Sequence, residues 1–210
     1  MPATRPASMP ASVLVLGIGN VLWADEGFGV RCVETLAETF EVPPHVRLLD
    51  GGTQGLYLLP FLEQADALLV FDAIDYGLAP GTLKVVRDAD VPAFMGAKKM
   101  SLHQTGFQDV IATAQLLGRC PSLLTLIGCQ PVELEDYGGG VRPAVAAAIA
   151  PALEVAFREL QDWGVMLVPG RSSSADLADP SIRRHAYEDG RPAEELACRV
   201  GDDRFFPGAG

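Results

Sequence analysis

Short apolar runs alternate with amphipathic stretches along most of this chain. Residues 13–16 form a Val and Leu run that stops at Gly17, Ile18, Gly19 and Asn20, which predicts a buried strand entering a tight turn. A helix is predicted over residues 27–40. Val30, Val33, Leu36, Ala37 and Phe40 recur there at helical spacing, and Pro43-Pro44 stops it. Residues 46–49 predict a second strand, closed by Asp50, Gly51, Gly52 and Thr53. A short helix follows over residues 54–63, with Leu56, Leu59 and Leu62 on one side. The continuous apolar run 67–71 reads as a central strand buried on both faces and ending at Asp72. Residues 79–81 form a turn, residues 82–86 an edge strand, and residues 88–103 look irregular. A clear apolar stripe of Phe107, Val110, Ile111, Ala114 and Leu117 predicts a helix over residues 104–117. Residues 123–127 are another buried strand, and residues 133–140 a turn-rich connection. The last long helix is predicted over residues 143–163, with Pro143 in its first turn.

Strands that alternate with helices in this order predict an α/β fold. The expected form is a three-layer sandwich, a mostly parallel twisted sheet of about five strands with helices on both faces. Residues 1–11 read as an N-terminal extension and residues 12–165 as the α/β domain. Residues 166–210, rich in Pro, Gly, Ser, Asp and Arg without sustained periodicity, read as a flexible C-terminal extension. Sixteen Lys and Arg stand against 27 Asp and Glu, a formal net charge of −11. Such a surface repels phosphate backbones, so no nucleic acid partner and no anionic membrane surface are expected. No apolar run approaches the ~20 residues of a membrane-spanning helix. The first ten residues lack the apolar segment of a signal peptide. The four cysteines (Cys32, Cys120, Cys129, Cys198) form no CxxC pair. The expected location is therefore the cytoplasm, with reduced thiols and with Cys32 and Cys129 in the core.

In an open α/β sheet, ligands bind beyond the carboxyl ends of the strands. Asp25 and Glu26, Asp50, and Asp72 and Asp75 all follow strands, and His103 precedes a helix. A mixed Asp, Glu and His set suits a borderline divalent metal such as nickel or zinc. It also suits peptide hydrolysis, in which carboxylates orient and deprotonate water. Each residue has a plainer reading too. Acids at a helix start are favoured by the helix dipole, which would explain Asp25 and Glu26. Asp50 could shape a turn through an Asx hydrogen bond. His103 could be an ordinary first-turn residue, and His45 and His185 read as solvated. Asp72 is harder to dismiss, because a carboxylate at the end of a central strand needs a partner. The HExxH and GxSxG signatures and the phosphate-binding P-loop are absent from the sequence. Gly17 and Gly19 resemble a dinucleotide fingerprint, with Asp50 in place of the ribose-binding acid. However, Leu22 holds the third glycine position, and Asp25 and Glu26 stand where pyrophosphate would bind. A nucleotide- or cofactor-binding module thus stays open as an alternative.

Taken in order, several runs carry a family resemblance: residues 17–20, 24–30, 50–55, 72–74, 80–82 and 103–106. Over residues 13–165 the chain resembles the hydrogenase maturation proteases, the endopeptidases that trim the large subunit of NiFe hydrogenases. Residues 98–106 look most like the branch that serves membrane-bound uptake hydrogenases. The resemblance implies a substrate, the precursor large subunit already carrying nickel at its C-terminal cysteine motif. It implies a cut just after that motif, which releases a short peptide. Nickel is the implied cofactor, supplied by the substrate, with Glu26, Asp72 and His103 as its ligands on the protease. Asp50, Asp72 and Glu26 are the implied catalytic carboxylates. Two mechanisms fit: one in which the substrate's nickel acts as Lewis acid, and an aspartic-type hydrolysis with one of these carboxylates as base. Gly19, Asn20, Asp25, Gly51, Gly52, Thr53, Asp75 and Gln104 are implied to shape the loops and contact substrate. Hydrogenase assembly chaperones are further candidate partners. A non-catalytic chaperone using the same surface is the other alternative.

Overall fold

Continuous apolar runs become the middle of a sheet, because a strand covered on both faces needs apolar side chains on both. The computed structural model describes residues 9–92, 102–134, 137, 140–172, 177 and 182–189, with the backbone alone at 102–106, 185, 188 and 189. β1 (Val13–Ile18) leads through a 3-10 turn (Ala24–Gly27) into α1 (Phe28–Thr39). β2 (Phe40–Glu41) and β3 (Val46–Gly52) follow, then a second 3-10 turn (Gly55–Leu58) and α2 (Leu59–Leu62). Next come β4 (Ala67–Ala73), β5 (Leu83–Arg87), α3 (Leu102–Leu116) and β6 (Leu123–Cys129). The chain continues through α4 (Pro143–Ala146), α5 (Ile149–Asp162), β7 (Val168–Pro169) and α6 (Arg184–Asp189).

The main sheet has the order β3-β1-β4-β6-β5. The first four strands are parallel, and β5 is an antiparallel edge. β1 and β4 are buried along their whole length. Alternate residues feed two cores. Val13, Val15, Val46, Leu48, Ala67, Leu69 and Phe71 pack with α1 and α5. Leu14, Leu16, Leu68, Val70, Leu124 and Leu126 pack with α2 and α3. This is the expected three-layer sandwich.

Two predicted helices are divided. The stripe over residues 143–163 breaks between α4 and α5, because Pro151 has no N–H to offer the Ala147 carbonyl. Over residues 54–63, Pro60 cannot bond the Leu56 carbonyl, which takes a 3-10 bond from Leu59 instead. The phase shifts accordingly: Leu58 and Leu62 are buried, and Leu56 is exposed. Cys32 and Cys129 are buried free thiols and His45 is exposed, as expected. Beyond residue 165, β7 pairs with β2. The Ser172 hydroxyl donates to the Phe40 carbonyl at 2.8 Å, and its N–H to Ala37 at 2.8 Å. This stretch lies along the end of α1.

Candidate active site

The approach of α1 to the sheet is set by glycine. A Cβ on Gly29 would overlap the carbonyl oxygens of Ile18 and Phe71, and one on Gly17 would overlap the Gly29 carbonyl. Gly19, at φ +125°, sits against the Glu26 carbonyl in the same way. These glycines let the turn that carries Asp25 and Glu26 descend onto the ends of β1 and β4. Close packing of helix on strand accounts for the Gly17-x-Gly19 pattern without a nucleotide. Asn20 folds the intervening turn: its Oδ1 accepts the Leu22 N–H at 3.0 Å, and its carbonyl accepts the Trp23 N–H at 3.0 Å.

The acidic residues then take different roles. Asp25 is fully buried and does not cap α1. Its Oδ2 accepts the Val132 and Glu133 N–H groups at 2.7 and 3.0 Å, and its Oδ1 accepts that of Arg142 at 2.7 Å. Three N–H donors satisfy a buried carboxylate and tie the loop after β6 to the start of α1. Glu26 is half-buried, and burial raises its carboxyl from 4.5 to about 7. Its turn packs on β4.

Asp72 occupies β4 itself and is 1% exposed. Alternation from Leu68 and Val70 turns it to the face covered by α2 and α3. α3 has 15 residues, about 22 Å of helix, which matches the length of β4. Its C-terminal end leads into Ser122, whose N–H bonds the Asp66 carbonyl just before β4. The first turn of α3, with His103 and Gln104, therefore opens at the carboxyl edge where Asp72 stands. The side chains of His103 and Gln104 lie outside the described residues.

Asp50 points the other way. Val46 and Leu48 share its parity in β3 and face α1. Burial pushes its carboxyl up, while the Gly52 N–H bonded to its Oδ1 at 2.9 Å and the Arg31 charge pull it down. Gly52, at φ +46°, completes that Asx turn. Gly51 is pressed on the Leu16 side chain, and Thr53 is exposed. Asp75 is also exposed, and its Oδ1 accepts from the Gly77 N–H at 2.9 Å and the Gln130 side chain at 3.0 Å.

Sequence reasoning passed over two organising residues. Gln130, directly after β6, also accepts the Tyr76 and Leu78 N–H groups at 2.7 and 3.1 Å, so one amide sets the loop after β4. Arg31 is 1% exposed; it pairs with Glu34 at 2.8 Å and donates to the Ile182 carbonyl at 2.9 Å. A polar residue at a buried strand end was the visible signal for Gln130. Among the described residues, no three His, Cys, Asp or Glu side chains converge as a metal site.

Comparison with known proteins bears on the family and the fold. A family model described as hydrogenase maturation protease matches residues 30–159. The chain belongs to the hydrogenase maturation protease family. Among relatives of this maturation protease is the hydrogenase expression/formation protein HupD of Rhodobacter capsulatus, 72% identical over 204 residues and 97% of each chain. The hydrogenase expression/formation protein HoxM of Azotobacter vinelandii is 60% identical, over 93% of this chain and 95% of its own. The solved structure of the hydrogenase maturating endopeptidase HybD from E. coli superposes with a TM-score of 0.71 at 43% identity. That match covers 75% of this maturation protease and 97% of HybD. The HupD likeness thus covers 97% of the chain, against 75% for the HybD likeness.

Proposed function

We propose that this maturation protease cleaves the C-terminal peptide from the nickel-loaded precursor of a NiFe uptake hydrogenase large subunit. Glu26, Asp72 and His103 are the groups that meet the substrate's nickel. The observation that carries the reading is the burial of Asp72 at the carboxyl end of the central strand, with the Glu26 turn packed on that strand. A carboxyl raised to about 7 by burial, on a turn packed against the strand that carries a second buried acid, is a group that a cation would relieve. Nickel delivered by the substrate would supply Lewis-acid polarisation at the scissile carbonyl or a bound water. Near neutral pH, Glu26 can take or give a proton, the property a general base needs. Asp50 lies on the far face of the sheet and serves as a single carboxylate tuned by Arg31.

A protein substrate suits the surroundings. Leu56, Tyr57, Leu78, Val132 and Tyr137 are exposed on segments that follow β3, β4 and β6, and so rim the same edge. Among the described residues no helix is long and apolar enough to cross a membrane. We place the reaction in the cytoplasm, where the thiols stay reduced.

The test is incubation of the purified protein with nickel-loaded and nickel-free precursor, followed by intact mass measurement of the large subunit. The expected result is loss of a C-terminal peptide from the loaded precursor alone. Glu26→Ala, Asp72→Ala and His103→Ala should each abolish it. Normal cleavage by the Glu26→Ala and His103→Ala variants would overturn the metal-recognition reading. Binding without cleavage by the native protein would favour a chaperone role.

A further inference from the structure

The loop after β6 is tied closely to the turn that carries Glu26. The Asp25 carboxylate accepts the Val132, Glu133 and Arg142 N–H groups, and the Asp25 N–H donates back to the Glu133 carbonyl at 3.1 Å. Trp23 pairs with Tyr137 through an antiparallel bridge, and their rings meet edge to face with centroids 5.4 Å apart. Within the turn, the Glu26 N–H donates to the Trp23 carbonyl at 2.9 Å. Ala24 takes φ +33°, a left-handed conformation that a residue with a Cβ keeps only where its surroundings impose it. The root of the loop is fixed too, since the Gln130 N–H donates to Thr82 at 2.9 Å and its carbonyl accepts from Gly81 at 2.8 Å. Val132 and Tyr137 are thus held by residues 23–25, immediately beside Glu26. Both are nonetheless exposed, at 52% and 66%.

An aromatic ring and a branched apolar side chain, fixed in place yet left in water, gain by being covered. Because the fold has already ordered them, a partner that covers them loses little entropy. We propose that Tyr137, seated on Trp23, and Val132 form a subsite for an apolar side chain of the precursor's C-terminal segment, next to the scissile bond. The occupant follows from position. The substrate of a maturation protease is a polypeptide, and on the reading above its cleaved bond reaches the Glu26 turn. The chain on either side of that bond then crosses the residues fastened to this turn. An extended peptide sends successive side chains to alternate sides, about 3.3 Å apart along the chain, so one beside the cut falls on the loop. The proposal rests on the reading of Glu26 as part of the cleavage site.

Tyr137→Ala and Val132→Ser test it in the full-length protein with nickel-loaded precursor. Each should raise KM, by about tenfold for Tyr137→Ala, with kcat within about twofold, the mark of lost binding rather than lost chemistry. Tyr137→Phe should keep the wild-type KM. Melting temperatures should change little, because both side chains are exposed. Serine in place of the apolar residues flanking the cut in the precursor should raise KM for the native protein and no further for Tyr137→Ala. A wild-type KM for Tyr137→Ala combined with Val132→Ser overturns the proposal. So does a loss of kcat alone, which marks the loop as a support for Glu26, and so does a joint loss of kcat, KM and melting temperature, which marks plain packing. Independent effects of the protease and precursor substitutions overturn it as well, since another part of the large subunit would then cover the loop. If Glu26→Ala cleaves normally, the reading of Glu26 fails and the proposal with it. If Glu26→Ala is inactive and Tyr137→Ala keeps the wild-type KM, only the subsite fails.

Discussion

Arg31 is the buried group whose removal should be felt most widely. Methionine at this position keeps the length of the stem and removes the charge. Two acids then lose their cation. Glu34 is paired with Arg31 at 2.8 Å, and its Oε1 is buried with no hydrogen bond among the described residues. Asp50 faces the same guanidinium charge. The Ile182 carbonyl loses its donor as well. Removing one partner of a buried pair costs about 3–5 kcal/mol, a large share of the roughly 5–15 kcal/mol that holds a domain together. The loss should also depend on pH. Burial raises the Glu34 carboxyl in the folded protein, and Arg31 opposes that rise. Without Arg31 the folded value climbs further above the unfolded one. Such a group contributes stability that is full below its unfolded value and is lost as pH rises through its folded value. The penalty of Arg31→Met should therefore be larger at about pH 8 than at about pH 5, changing by at most ~1.4 kcal/mol per pH unit for each group. Urea unfolding at the two pH values measures it. A loss under about 1 kcal/mol, or an equal loss at both, would refute the assignment of a buried pair. Adding Glu34→Gln to Arg31→Met should recover part of the stability at the higher pH.

Gly29→Ala places a methyl group on two backbone carbonyls that cannot both retreat. It should cost about 3 kcal/mol or more, and a wild-type melting temperature would show that α1 does not sit as described. Glu26 carries a carboxyl raised from 4.5 to about 7, so native stability should decline as pH rises across that window. Glu26→Gln should flatten the decline in melting temperature, and an unchanged slope would mean that the carboxyl is not buried. Gln130→Ala removes the acceptor of two loop N–H groups and the donor to Asp75. It should destabilise by about 1–3 kcal/mol and speed hydrogen exchange at Tyr76 and Leu78; unaltered protection there would contradict the role of this amide.

The strands were the most legible part of the sequence, for a physical reason. β4 is covered on both faces, so its run from Ala67 to Phe71 carries no polar residue to blur it. Strand ends also placed these acids near one edge of the sheet, because a parallel sheet delivers its connections there. The roles of those acids were not legible. Asp25 looked like a helix cap, yet it binds N–H groups 107 to 117 residues away, a contact that no local pattern encodes. Arg31 and Glu34 were passed over, and only the packing of α1 under the segment at Ile182 shows that they are buried. Pro60 and Pro151 were visible, but the apolar stripes ran on through them and hid the breaks. The side chains of His103 and Gln104 lie outside the described residues, so for them the sequence motif stands beside a backbone position alone.

The faces of the sheet bear directly on mechanism. A pair of carboxylates that shares one proton must lie about 3 Å apart. Asp50 is level with Gly17 in β1, and Gly17 is level with Phe71 in β4, so Asp50 stands beside Asp72 in height but two strands away. Two ladder steps are about 10 Å, and the two side chains leave opposite faces. They cannot form such a dyad without rebuilding β3. An acid–base reaction at this edge is left with single carboxylates in separate surroundings. Asp72 and the Glu26 turn belong to β4, with Tyr76 alongside. Asp50 belongs with Arg31, and through Arg31 with the segment at Ile182. Substitution at Asp50 should therefore resemble substitution at Arg31 in its effect on stability, whereas substitution at Asp72 should act on turnover. If Asp50→Asn and Asp72→Asn instead gave the same kinetic defect with no difference in melting temperature, the separation of the two faces would have no functional meaning.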